Sequence, residues 1–310
     1  MFRFVQKYKN LVNKMNFLIK SILIFLSISF STYSQNNYEF LGAIKLNGND
    51  KTLITYRIVF EENKGVIKGY SVTDLDGAHE TKNSISGTYD KKNKMLTFKE
   101  NDILYTKSKF SESSFCFVNF SGKVKLVNNT SKIEGAFKGL YKNNKKCIDG
   151  TVALVGSEKI YNLANKVNKK IQKSKKIDDD VKMKSNPIAL LDSLKINKLS
   201  RDQNLNVFWE SKSAKIEIYD VGQEDGDIIN LYHNDKLILE NYKIKHDKKI
   251  ILVSLDFSVD NVFKITAMNE GTIVPNTAKV VLYDNNRSFE LFTSFKKNES
   301  AFITIIKKEL

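Results

Sequence analysis

The stretch that decides the fold is residues 53–60, which read LITYRIVF between the turn sequences NGND at 47–50 and NKG at 63–65. Residues 95–98, MLTF, repeat this arrangement further along the chain. Short runs of aliphatic, aromatic and β-branched residues bounded by Gly, Asn and Asp predict antiparallel strands. We count about nine or ten such strands between residues 38 and 155, with no space for crossover helices. The first half of the chain is therefore predicted to be antiparallel and all-β.

A recurring glycine indicates how these strands are arranged. In four segments a glycine follows an aliphatic residue by two positions, at Gly69, Gly87, Gly135 and Gly150. Glycine inside a strand allows sharp bending or the close approach of a neighbouring backbone, so its repetition predicts a curved meander that closes toward a barrel. A barrel can hold a small apolar ligand. The aromatic residues that would line it are Tyr56, Phe60, Tyr89, Phe98, Phe117 and Phe120.

The pattern changes between residues 158 and 204, which we interpret as a short, basic, helical linker. Apolar residues at spacings of three and four draw one stripe on a helix, and lysines occupy its remaining surface. The stripe consists of Ile160, Leu163, Ala164, Val167 and Ile171. The helix either caps an open end of the barrel, which we favour, or lies on a membrane surface. A second short helix is predicted to begin at Asn186-Pro187, an N-cap followed by proline at the first helical position.

From residue 205 the alternation of period two returns. About eight strands in about a hundred residues, separated by turns, predict a β-sandwich of the immunoglobulin type over residues 205–310. Residues 231–237, LYHNDKL, place the turn-forming pair Asn-Asp between two apolar strands. The single tryptophan, Trp209, is expected to anchor the core of this sandwich.

The first forty residues predict export. Residues 15–30, MNFLIKSILIFLSISF, combine a basic start with a short apolar run, and small residues follow at Thr32 and Ser34. This pattern is typical of a signal peptide that occupies residues 1–34 and is cleaved near Ser34. An uncleaved anchor is the alternative, although the apolar run is short for a membrane span. We expect a secreted, periplasmic or cell-surface protein with no transmembrane segment after cleavage.

Charge and composition exclude several classes of protein. The chain has 310 residues, and 50 Lys and Arg against 35 Asp and Glu give it a formal charge of +15. Hydrophobic residues make up 41% and charged residues 27%, which is typical of globular proteins and not of disordered chains. The positive charge is almost all lysine, whereas recognition of phosphates and base edges relies on arginine, so we expect no nucleic-acid partner. Weak electrostatic association with anionic surfaces remains open.

The only two cysteines, Cys116 and Cys147, are expected to form one disulfide. An even pair in an exported protein has an oxidising environment and no competing partner. The alternative is two buried free thiols, because Cys116 lies in the apolar run 115–118, FCFV.

Residues 220–227, DVGQEDGD, precede an Asn-turn hairpin, and residues 267–271, AMNEG, run on to PNTA at 275–278. These motifs resemble a C-terminal module common in secreted proteins of Bacteroidetes. The resemblance covers residues 205–308 and implies a sandwich fold and residence in the envelope or outside the cell, with no assigned activity. The first half, residues 35–157, is similar only in outline to lipocalin-like or avidin-like meanders, and this likeness assigns no residue.

Two acidic loops are the candidate sites for chemistry. The turn that carries Asp220, Glu224, Asp225 and Asp227 could direct several oxygens at a calcium ion, although such turns are also commonly just solvated. Calcium is the one cofactor that the sequence suggests. Residues 74–80, DLDGAHE, gather three acids and a histidine, where Asp76 and His79 are the residues for acid–base work. The common nucleophile, zinc-protease and nucleotide-binding motifs do not occur, so we predict a protein that is not an enzyme.

Three functions follow from these expectations. The first is a non-catalytic binding or structural protein of the bacterial cell envelope, whose sandwich is an adhesion module for an envelope protein or a glycan. The second is a carrier that holds a small apolar ligand in the barrel. The third is a hydrolase of envelope polysaccharide. The shape of the barrel interior separates the first two, since a cavity favours the carrier and a filled interior favours the structural protein.

Overall fold

The computed structural model describes residues 36–48, 53–127 and 129–308, so the predicted leader at 1–34 lies outside the described residues. Eight strands come first along the described chain: β1 (Asn36–Leu46), β2 (Leu53–Asn63), β3 (Val66–Thr73), β4 (Thr81–Asp90), β5 (Met95–Thr106), β6 (Phe117–Lys123), β7 (Lys132–Leu140) and β8 (Gly150–Gly156). The expectation of nine or ten is wrong, because β1 and β5 each run unbroken, for eleven and twelve residues.

The eight strands form the predicted antiparallel barrel. Their order is β5-β4-β3-β2-β1-β8-β7-β6, and β6 pairs back with β5 from Met95–Lys123 to Lys99–Asn119, which closes the sheet on itself. The alternation of residues in the sequence explains which side chains point into the barrel. On β2, for example, Tyr56, Ile58 and Phe60 point inward and are buried.

Two of the recurrent glycines permit the close spacing of neighbouring strands. A Cβ atom built on Gly69 would lie 2.0 Å from the backbone oxygen of Val59, and one on Gly87 would lie 2.0 Å from that of Thr97. Both partners are residues of the adjacent strand. No side chain fits at these distances, so the glycines are required by the approach of backbone to backbone in a curved sheet.

Three α-helices follow the barrel in the part of the chain that the structure describes: α1 (Ser157–Lys173), α2 (Asp179–Lys184) and α3 (Pro187–Ser193). α1 begins where β8 ends and packs against β8, β1 and α3. Of its apolar stripe, Ala164 is buried, whereas Leu163 is 63% exposed and Val167 is 41% exposed. Asn186 caps α3 as predicted, since its side chain accepts a hydrogen bond of 3.0 Å from the N–H of Ile188. Within the described residues, no helix has the length and apolar character needed to cross a membrane.

Ten strands make up the rest of the described chain: β9 (Lys198–Leu199), β10 (Asn204–Trp209), β11 (Ser213–Tyr219), β12 (Ile228–His233), β13 (Lys236–Lys243), β14 (Lys249–Ser254), β15 (Asn261–Ala267), β16 (Asn276–Asp284), β17 (Arg287–Phe295) and β18 (Ser300–Lys307). They form two hydrogen-bonded sets of five strands, with the orders β13-β12-β15-β18-β10 and β14-β11-β16-β17-β9. The prediction of an all-β protein is confirmed. The immunoglobulin type of this half stays a prediction.

One hydrophobic core is shared by these two sets of strands. Ile216 and Val280 come from one set and Phe263 and Ile303 from the other, and all four are buried in a single cluster. Trp209 belongs to the same cluster and is fully buried, which confirms its predicted role as an anchor. Its ring N–H donates to the backbone oxygen of Ser213 at 3.1 Å, so the polar end of the indole is satisfied.

Strand β5 joins the two halves of the molecule. Its beginning pairs with β6 and closes the barrel, while Tyr105 and Thr106 at its end pair with β10. The barrel and the set β13-β12-β15-β18-β10 are therefore one continuous hydrogen-bonded sheet.

Candidate functional site

A cavity of about 440 Å³ lies at one end of the barrel. Its walls come from the strand ends that meet there: the ends of β1, β3 and β7, the beginnings of β2, β4 and β6, and residues of β5. The opposite end of the interior contains packed aromatic rings, since Tyr38, Phe40 and Phe60 lie against one another with centroid distances of 5.3–6.4 Å. Most of the wall is apolar: Ile44, Leu46, Ile54, Phe115, Phe117, Val118, Phe137 and Ile148.

A buried carboxylate lies in the wall of this cavity. Glu100 on β5 is 5% exposed and accepts hydrogen bonds from the hydroxyls of Tyr56 (2.9 Å) and Ser71 and from the N–H of Val118 (2.7 Å). Burial is the largest influence on its pKa and raises it, while these hydrogen bonds oppose the shift. Glu100 therefore gathers several donors at one point of an otherwise apolar barrel.

Asn83 lies beside Glu100 and has an unused acceptor. The pairing of β4 with β5 shifts register on both sides of Asn83, which is a bulge that redirects the strand at this point. Asn83 is 6% exposed and lines the cavity, but its Oδ1 atom accepts no hydrogen bond from the described residues. A buried acceptor without a donor costs free energy, so this position favours a ligand that brings a donor.

The loop at residues 74–80 forms part of the rim. Asp74 and His79 line the cavity, and the Asp74 carboxylate accepts a 2.9 Å hydrogen bond from the backbone N–H of His79. Asp76 is exposed, and its N–H donates to Glu80. Glu80 in turn accepts from the Tyr105 hydroxyl at 2.8 Å, outside the loop. The loop therefore uses the carboxylates of Asp74 and Glu80 to hold its own shape and to anchor it to β5.

The predicted disulfide between Cys116 and Cys147 is confirmed. Cys116 lines the cavity immediately before β6, and Cys147 lies just before β8, where its N–H donates to the backbone oxygen of Gly139 at 2.9 Å. The bond joins residues 31 apart in sequence and ties together two segments of the same barrel end.

The six aromatic residues predicted to line the barrel divide into three sets. Phe117 borders the 440 Å³ cavity. Phe98 and Phe120 stack on each other at 5.3 Å and border a second cavity of about 700 Å³. Tyr56, Phe60 and Tyr89 are buried in the packed core of the barrel.

The acidic turn of the second half holds its carboxylates in hydrogen bonds to backbone N–H groups. These bonds are Gly222 to Asp220 (2.7 Å), His246 to Glu224 (2.6 Å), Ile273 to Asp225 (2.9 Å) and Thr277 to Asp227 (2.7 Å). One oxygen each of Asp225 and Asp227 is buried and has no hydrogen-bond partner among the residues that the structure describes. Among the residues the structure describes, no group of three or more His, Cys, Asp or Glu side chains is placed to hold a metal. Calcium binding stays a prediction.

Sequence reasoning missed two polar residues of the barrel cavity, Glu100 and Asn83. A signal existed for Glu100. On β5 the inward positions alternate through Leu96 and Phe98, so the next inward position places a charged residue in the core. Asn83 lies at an inward position of β4 between Thr81 and Ile85, but an uncharged polar side chain is a weaker signal than a charged one.

Comparison of the chain with protein-family models, with curated proteins and with solved structures finds no match. The site must therefore be interpreted from its own chemistry.

Proposed function

We propose that this protein is a non-catalytic carrier that binds a small, mostly apolar molecule at one end of its barrel. The observation that supports this most is the 440 Å³ cavity in a barrel whose other end is packed with aromatic rings. Cavities of about 300–1,000 Å³ with apolar walls and a few polar groups are typical of small-molecule sites. Asn83 and Glu100 supply the polar groups here.

The dimensions of the cavity restrict the ligand. If each non-hydrogen atom takes about the 30 Å³ of a water molecule in the liquid, the ligand has roughly fifteen such atoms. The apolar walls favour a hydrocarbon or aromatic body. The free Oδ1 of Asn83 favours one hydroxyl or N–H group at the inner end.

We also propose that the carrier works outside the cytoplasm. The predicted signal at residues 1–34 and the Cys116–Cys147 disulfide support this, because disulfides persist mainly in oxidising compartments. Protein extracted from the envelope or the medium of its host and blocked at once with a thiol reagent tests the placement. Recovery in the cytoplasmic fraction with both thiols free would contradict it.

N-Phenyl-1-naphthylamine is a suitable probe for the cavity, because it is apolar, carries a single N–H donor and fluoresces strongly in apolar sites. We expect saturable binding to the purified protein. Thr73→Trp introduces a large side chain at a cavity-lining position and should weaken binding at least about tenfold. The matched control is Thr88→Trp at an exposed position of β4, which should leave the affinity unchanged.

Equal affinity in both tryptophan variants would refute the cavity as the site, and so would the absence of saturable binding in the unmodified protein.

A second comparison tests the polar end of the cavity, where Asn83 lies. Asn83→Leu removes the unused acceptor, so it should weaken binding of a long-chain alcohol relative to an alkane of the same length. Native mass spectrometry of protein purified from its host would then give the mass of the natural ligand.

A second candidate function is supported by the edge strand β14, at the end of the order β14-β11-β16-β17-β9. Ile250 is 53% exposed and Leu252 is 76% exposed on this strand. An apolar edge can pair with an extended segment of another protein, which fits the adhesion role predicted for an immunoglobulin-type module. Leu252→Lys should then reduce retention of the protein by isolated envelopes, whereas Leu190→Lys on α3, also an exposed leucine, should not. Equal retention of both variants would contradict this role.

A further inference from the structure

A third cavity, of about 380 Å³, lies where the barrel meets the rest of the molecule. The outer faces of β2–β5 form one wall, with Arg57, Tyr70 and Lys82. β17 and the segment at residues 194–197 form the opposite wall. This cavity is distinct from the barrel interior, because side chains on the outer face of a strand point away from the inner one.

Positive charge exceeds negative charge around this cavity. Within the described chain we identify three carboxylates on or beside it, and each already has a cation. Glu39 accepts from Arg57 and Lys195 at 2.8 and 2.9 Å, Glu80 pairs with Lys107 at 3.3 Å, and Glu290 pairs with Lys279 at 2.8 Å. These ion pairs contain four cations and three carboxylates, and Lys82 adds one more positive charge.

Lys82 is the cation of this cavity that has no counter-ion among the described residues. Its ammonium lies 4.0 Å from the centre of the Tyr70 ring and forms no ion pair within the described part of the chain. The guanidinium of Arg57 lies 5.7 Å from the centre of the same ring. Burial, followed by repulsion from Arg57, lowers the pKa of Lys82 to about 8, and Glu290 and Glu80 offset this only in part. A half-buried ammonium beside a second cation is unfavourable unless an anion accompanies it.

We propose that the cavity is a binding site for a small hydroxylated organic acid, whose carboxylate is held by Lys82. At about 30 Å³ per non-hydrogen atom the space admits roughly twelve atoms, more than a simple inorganic ion fills. Asn197 lines the same cavity, and its buried Oδ1 atom has no hydrogen-bond partner in the described residues. A hydroxyl group on the acid would supply the donor that this atom lacks.

The chemical reactivity of Lys82 provides a direct assay. Because its pKa is about 8, roughly half of Lys82 is unprotonated at pH 8, whereas an ordinary lysine is almost fully charged. Acetylation of the full chain at pH 8, followed by peptide mass spectrometry, measures the rate at each lysine. We expect Lys82 to react much faster than Lys68, an exposed lysine of β3.

L-Malate is the probe for the hydroxy acid and inorganic phosphate is the comparison. We expect malate to slow acetylation of Lys82 at least about tenfold without changing the rate at Lys68, and phosphate to protect less. By calorimetry, Lys82→Met should abolish malate binding while Lys68→Met preserves it. Circular dichroism of both variants establishes that they are folded.

Several results would overturn the proposal. These are unprotected Lys82 at saturating malate, equal or better protection by phosphate, and unchanged calorimetric affinity in folded Lys82→Met. The test is independent of the barrel ligand, since N-phenyl-1-naphthylamine binding reports on the other cavity. Loss of one activity with retention of the other identifies which of the two proposals fails.

Discussion

Replacement of Asp227 by asparagine should stabilise the protein at neutral pH and leave its stability unchanged in acid. Asp227 is 2% exposed, and one carboxylate oxygen accepts from the N–H of Thr277 while the other has no partner in the described residues. Burial raises its pKa to about 6, and repulsion from Asp225 and Asp220 adds to the shift while the Thr277 bond opposes it. Asp227→Asn keeps the acceptor for Thr277 and removes the charge.

The magnitude follows from the pKa. An increase from 3.8 to about 6 corresponds to a cost of up to about 3 kcal/mol for holding the charged form in the folded state. The folded protein binds this proton more tightly than the unfolded chain does. The unmodified protein therefore loses stability as the pH rises from about 4 to about 7, and the asparagine variant does not lose this contribution.

Urea denaturation of both proteins between pH 4 and pH 8 measures the effect. We expect equal stability near pH 4 and a gain of about 1–3 kcal/mol for Asp227→Asn near pH 8. A constant difference in stability across this pH range would refute the reasoning.

Calcium added at pH 8 tests the predicted cation site separately. If the acidic turn binds calcium, the ion stabilises the unmodified protein and has less effect on the variant.

Three further perturbations test the fold. Replacing Cys116 and Cys147 together by serine should lower the free energy of unfolding by about 3–4 kcal/mol, because the denatured chain regains a loop of 31 residues; urea denaturation with and without reductant checks this. Gly69→Ala forces a methyl group against the neighbouring backbone and should cost more than about 2 kcal/mol by thermal unfolding, whereas Gly222→Ala, with nothing closer than 3.4 Å, should change little. Trp209→Phe should cost about 2 kcal/mol by calorimetry, since it leaves a space and removes a hydrogen bond.

The alternation of residues was sufficient to place most of the strands. The run at 53–60 became β2, and the alternation that resumes at residue 205, where about eight strands were expected, became the nine strands β10 to β18. The turn at Asn234-Asp235 has both residues at positive φ, as a two-residue hairpin turn requires. These features are local, so the sequence contains the information that determines them.

Longer-range features were not predictable in the same way. β5 is long enough to close the barrel and then leave it, and no local pattern shows that Tyr105 pairs with Val207, about a hundred residues later. The number of barrel strands was overestimated because strand length is also set by pairing, and β1 and β5 run unbroken for eleven and twelve residues.

By itself the sequence predicted the all-β character of the chain, the closure of its first half and the pairing of its two cysteines, because alternation, recurrent glycines and the count of thiols are properties of the chain alone. Only the tertiary structure decided where space and unpaired charge remain. The barrel cavity and the site of Lys82 both depend on which side chains from distant strands meet, and on how far burial removes them from water. The burial of a side chain and the pairing of its charge depend on residues that are distant in sequence, so both are fixed only when the chain has folded.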